Sequence, residues 1–137
     1  MSRKSAREAA FKTIFEISFH TEETPCEIIS FAVDYQKDDL KSDNDKTYFK
    51  KVTTLCYDNL ENIDKQISKH LKNDWTLERL SRVNLSIIRL AACEMIYMTD
   101  IPYQVSINEA VELAKKFGDD DSPAFINGIL APMTDRG

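Results

Sequence analysis

Ser81–Met98 reads SRVNLSIIRLAACEMIYM, and this stretch decides the fold. Val83, Ile87, Ile88, Leu90, Ala91, Met95 and Ile96 are spaced so that, in a helix, they cover more than one face. Such a helix would span ~27 Å at ~1.5 Å per residue. A helix apolar around most of its girth belongs in the middle of a protein, so the segment predicts a central buried helix with others packed around it.

Working outward, each flanking segment repeats the helical period. Upstream, Trp75 and Leu77 close the turn into the central helix, Ile63, Ile67 and Leu71 mark one helix, and Phe49, Val52, Leu55 and Cys56 mark another over 46–60. A polar acidic loop over 38–45 separates these from a helix through about Lys37 that carries Ile28, Ile29, Phe31, Ala32, Val33 and Tyr35. The first helix covers 5–19 on Ala6, Ala10, Ile14 and Ile17. Ser5 and Glu8 at its start have the spacing in which each side chain satisfies the other's free backbone N–H, leaving Arg3 and Lys4 in an arm before it. Downstream, the loop Thr99–Tyr103 contains Pro102. Ser106 and Glu109 repeat the capping spacing ahead of Ile107, Ala110, Val111, Ala114 and Phe117, and Gly118 stands where a C-terminal cap is expected. The last helix starts at Ser122 with Pro123 in its first turn, after Asp119, Asp120 and Asp121, whose charges suit the positive helix end.

The 137 residues contain three glycines and four prolines, too little turn chemistry for a sandwich or barrel of many strands. The expectation is an all-α chain of six to seven helices over residues 1–137, forming one domain with no repeat or linker. No apolar run approaches the ~18 residues needed to span a bilayer and no apolar signal core opens the chain. Cys26, Cys56 and Cys93 are odd in number and widely spaced, which fits buried free thiols in a reducing cytoplasm better than disulfides or zinc.

Chemistry is sparse. His20 and His70 lack a second metal-type ligand at helical spacing, so no metal is expected. Gly118, Gly128 and Gly137 cannot build a phosphate-cradling glycine loop, and no nucleophile elbow is present, so neither a cofactor nor an enzymatic activity is expected.

Charge is the informative feature. The net charge is -5, yet residues 1–13 carry +3 while Glu22–Asp45 carries -6. The basic first turn, with Arg3, Lys4 and Arg7, faces the positive end of the first helix dipole, which costs typically ~0.3–1 kcal/mol per cation. Arg3 and Arg7 stand one turn apart, so both can approach one phosphate chain; the alternative is a solvated terminus. Phe125 lies at the edge of the stripe of Ile126, Ile129, Leu130 and Met133, either as core or as a platform for an unpaired base. Tyr103, directly after Pro102, either packs the turn or stacks on or bonds to a base. Gly128 within a helix implies close approach of another backbone.

Three segments resemble the bacterial NusB antitermination family in order and spacing: RLAACE at Arg89–Glu94, IPYQVSINEAVELAKKF at Ile101–Phe117 followed by Gly118, and DSPAFINGIL at Asp121–Leu130. Arg7, Glu8 and Ala9 match the family's N-terminal element. The resemblance implies two small packed helical bundles. It also implies binding of single-stranded boxA RNA together with the small-subunit ribosomal protein NusE, tethering nascent transcripts, notably ribosomal RNA, to the transcription elongation complex. The family's RNA-contacting positions fall on Arg3, Lys4, Arg7 and Phe125, with Tyr103 on a matching loop. Ser5 and Ala124 stand where the family often has basic residues, which implies fewer phosphate contacts. The alternative is a protein-interaction module without RNA binding, such as a homodimer that hides the basic arm. The central helix and its preceding turn are the expected surface for the ribosomal partner.

Overall fold

A computed structural model describes residues 2–18, 42–72 and 75–134, with Ser2 and Arg3 described by their backbone alone. These residues form six α-helices and no strand: α1 (Ser2–Ile17), α2 (Asp43–Asp58), α3 (Leu60–Ser68), α4 (Arg82–Tyr97), α5 (Tyr103–Phe117) and α6 (Ser122–Leu130). Short 3-10 turns at Leu77–Arg79 and Ala131–Thr134 precede α4 and follow α6. The helix expected through about Lys37, together with His20 and Cys26, lies outside the described residues.

α4 is the hub, as its apolar girth requires. Ser81 caps it, its Oγ accepting from the Asn84 backbone N–H at 3.0 Å. Ile87, Ile88, Leu90, Ala91, Ala92, Cys93 and Met95 are all buried, each large side chain contributing roughly 1.5–3 kcal/mol of transfer free energy. α1 and α2 pack together on α4, α5 and α6 do the same, and α3 lies along it, so two small helical groups share one central element and one continuous core. Val83, Asn84, Leu85 and Arg89 stay half-buried along the body of α4.

Both capping boxes expected from the sequence are occupied differently. α1 begins at Ser2, so Arg3 and Lys4 belong to its first turns rather than to an arm, and Ser5 is interior. Glu8 turns to Lys116 at 2.9 Å and to Lys12 at 3.5 Å instead of back to Ser5. α5 begins at Tyr103 because Pro102, with φ fixed at -59°, already sets the entry, placing Ser106 inside the helix. α2 has an unforeseen cap in Ser42, whose Oγ accepts from the Asp45 N–H at 3.0 Å.

The two glycines among the described residues divide sharply. Gly118 ends α5, its N–H donating to the Ala114 carbonyl at 2.9 Å, and a Cβ there would lie 2.6 Å from Ser122 Cβ. Gly118 therefore permits α6 to fold back on α5. Gly128 is exposed, and a Cβ there would meet nothing within 4 Å, so no backbone approaches it within the described chain, contrary to expectation. Ser122 is the first residue of α6 rather than its cap. Its Oγ accepts from the Asp119 N–H at 3.1 Å and donates to Asp119 Oδ1 at 3.0 Å, giving the first acid of the Asp119–Asp121 run a structural task.

Candidate nucleic-acid interface

Five positions were expected to meet RNA, and the structure distributes them unevenly. Arg7 is 6% exposed and forms a two-point ion pair with Glu94, itself 1% exposed: Nε lies 2.9 Å from Oε2 and Nη2 lies 3.2 Å from Oε1. Ser106 Oγ donates to Glu94 Oε1 at 2.7 Å and the Tyr48 hydroxyl donates to Oε2, so the carboxylate gathers groups from α1, α2 and α5 around one residue of α4. The Arg7 guanidinium also sits over the Tyr48 ring, 5.6 Å from its centroid. Burial on its own would lower the Arg7 pKa, but the hydrogen bonds and charge of Glu94 outweigh it and raise the value above the ordinary arginine range. A guanidinium engaged in this way is a structural cation, its Nε and Nη2 committed to Glu94.

The exposed basic character instead follows the seam between α1 and α5. Lys4 is exposed and lines a cleft of about 230 Å³ together with Arg7, Glu8, Glu109, Glu112, Lys115 and Lys116. Toward the far end of the seam, Lys12 and Lys116 lie over the half-buried Phe117 ring at 5.8 and 5.4 Å, and Phe117 packs on Phe11 at 5.1 Å. Sequence reading missed Lys115 and Lys116, because cations in a last helical turn are what a helix dipole favours and so carried no separate signal. Arg3 lies in the first turn of the same helix as Lys4.

The aromatic half of the interface is on α6. Phe125 is half-buried and its ring meets Trp75 at 5.4 Å between centroids with planes 54° apart. Trp75 is 47% exposed, and the Arg79 guanidinium lies 5.7 Å from its ring centroid. Trp75 had been read only as closing a turn. Tyr103 is half-buried at the first position of α5, a helix of 15 residues. The structure thus joins Phe125 with Trp75 and sets Arg7, paired to Glu94, beside the cleft that Lys4 lines.

Among the described residues, no cluster of His, Cys, Asp and Glu could hold a metal ion, and no helix is long and apolar enough to cross a membrane. The profile of the NusB family matches residues 4–135. The transcription antitermination protein NusB of Bacillus licheniformis is 44% identical over 131 residues, covering 96% of this chain and 95% of that protein. Its counterpart in Natranaerobius thermophilus is 45% identical over 139 residues, covering 99% and 96%. NusB of T. maritima superposes with a TM-score of 0.85 at 32% identity, covering 99% of this chain and 92% of that one. A chain of the crystal structure of the antitermination factors NusB and NusE in complex with double-stranded RNA superposes with a TM-score of 0.86 at 27% identity, covering 99% and 98%. Helical order, motif spacing and likeness along nearly the full length agree, and the chain belongs to the NusB family.

Proposed function

We infer that this chain is an RNA-binding transcription antitermination factor, acting with the ribosomal protein NusE on single-stranded boxA RNA of nascent transcripts, notably ribosomal RNA. The observation that carries this reading is the full-length likeness to antitermination proteins, one of them in a solved NusB–NusE–RNA complex. The role is one of binding: the chain holds RNA and partner together so that the elongating polymerase passes terminators, and no bond is made or broken.

In this reading Lys4 and Arg3 in the first turns of α1 meet phosphates, where the helix N-terminus adds its own N–H donors. Phe125 supplies a ring for an unpaired base, and Tyr103 offers a second, separate contact. Arg7, paired to Glu94, lines the cleft beside Lys4 and adds its charge to this basic edge. The cytoplasm, where transcripts are made, is the compartment this role requires.

A titration with a boxA-like single strand and a scrambled strand, at low and physiological salt, with and without NusE, tests the reading. Partner-enhanced, sequence-dependent binding is expected, with a salt slope near -0.7 per phosphate contact. Phe125→Ala should cost ~1–3 kcal/mol through the lost stack. Absence of RNA binding in every condition would refute the reading and favour a protein-interaction or homodimer role.

A further inference from the structure

The turn before α4 holds a second feature that the reading above does not use. Residues 69–81 carry Lys69, Lys72 and Arg79 against Asp74 and Glu78, a net +1 in a chain of net charge -5. Lys69, Lys72 and Arg79 are exposed, as is Glu78. In the same turn stands Trp75, the only tryptophan of the chain, about half exposed and in contact with Phe125.

Indole is the largest apolar side chain, and leaving half of it in water forgoes transfer free energy that burial would supply. Its exposed part does not stand alone. It is backed by the Phe125 ring 5.4 Å away and flanked by the Arg79 guanidinium 5.7 Å from its centroid. Two adjoining rings beside cations match what an unpaired strand presents, bases with π-faces at successive positions joined by phosphates.

We propose that Trp75 and Arg79 form a second RNA subsite, in which the base next to the one on Phe125 stacks on the Trp75 indole and Arg79 meets the intervening phosphate. The proposal rests on the RNA-binding reading. It extends the path of the strand from α6 onto the turn before α4, so that two consecutive bases, rather than one, are held by rings.

The single tryptophan makes the test direct. The intact chain is titrated with a boxA-like single-stranded RNA oligonucleotide while Trp75 fluorescence is followed, and affinity is measured independently by anisotropy of labelled RNA. Saturable quenching with the same midpoint as the anisotropy curve is expected. Trp75→Ala should weaken binding roughly 5- to 160-fold, the range for one lost base–aromatic stack, while Trp75→Phe should stay within a few-fold of the parent. Arg79→Ala should reduce the salt slope by about one single-strand contact, ~0.7. Circular dichroism of each variant establishes that it is folded.

If the parent binds RNA and Phe125→Ala weakens it, but Trp75→Ala leaves affinity within twofold and fluorescence is unmoved, the subsite is overturned and the RNA-binding reading stands. If fluorescence responds to NusE and not to RNA, the turn is a protein-binding surface and the subsite is likewise overturned. If the parent binds no RNA, the broader reading fails and takes the subsite with it.

Discussion

Truncating Arg7 should make this protein unfold more readily. In Arg7→Ala the Glu94 carboxylate, 1% exposed, loses a two-point ion pair and keeps only the Tyr48 and Ser106 hydroxyls. Removing one partner of a buried pair typically costs ~3–5 kcal/mol, because the remaining charge stays desolvated. Against a usual domain stability of ~5–15 kcal/mol this is a fifth of the total or more. At roughly 3–5 °C per kcal/mol for a chain of this size, the melting temperature should fall by ~10–20 °C. Thermal and urea unfolding followed by circular dichroism measure it, and RNA affinity is measured well below the variant's melting temperature. Glu94→Gln should be similarly damaging, and the double variant should cost much less than the two singles combined, since either change breaks the same pair. The raised Arg7 pKa places its stabilisation fully below the ordinary arginine value and loses it only as pH rises through the still higher folded value, so the Arg7 contribution should be flat across neutral pH. An Arg7→Ala variant that melts within about 3 °C of the parent while RNA affinity drops tenfold would refute the assignment and turn the guanidinium outward.

The remaining expectations concern the glycines and the thiols. Gly118→Ala should lose ~1–3 kcal/mol in urea unfolding, because its Cβ would lie 2.6 Å from Ser122 Cβ and 2.9 Å from the Ala114 carbonyl oxygen. Gly128→Ala should do the reverse, gaining ~0.5–1 kcal/mol in the same assay, since the position is helical and the space around it open. Cys93 is buried beside Cys56, and their hydrogen bond and burial push its pKa far up; in a Cys26→Ser background neither thiol should react with a disulfide reagent until denaturant is added.

The legible parts of the fold were those set by local pattern. α4 announced itself because its apolar residues cover several faces, and Gly118 was recognisable as a helix end. Ser5–Glu8 and Ser106–Glu109 misled because the same spacing arises inside a helix, where the serine and the carboxylate can serve distant partners: Lys116 for Glu8, Glu94 for Ser106. Arg7 could not be assigned from its neighbours, since the carboxylate that holds it is 87 positions away. Glu94 carried the same handicap, standing in an apolar run with nothing local to reveal its three partners. Phe125 was legible as an edge aromatic, but its contact with Trp75 joins two segments 50 residues apart, a pairing that no periodicity encodes.

The span between Arg7 and Glu94 also bears on how the molecule comes apart. Closing a loop of 87 residues costs on the order of 4 kcal/mol in chain entropy, and the two charges must shed water as they meet. A contact with both costs gains most once α1, α2 and α5 have already docked on α4, which places it on the native side of the folding barrier. Interactions made after the barrier act on the rate of escape: they slow unfolding and leave the folding rate nearly untouched. The buried pair therefore works as a latch, setting the lifetime of the folded chain more than the speed with which it is reached.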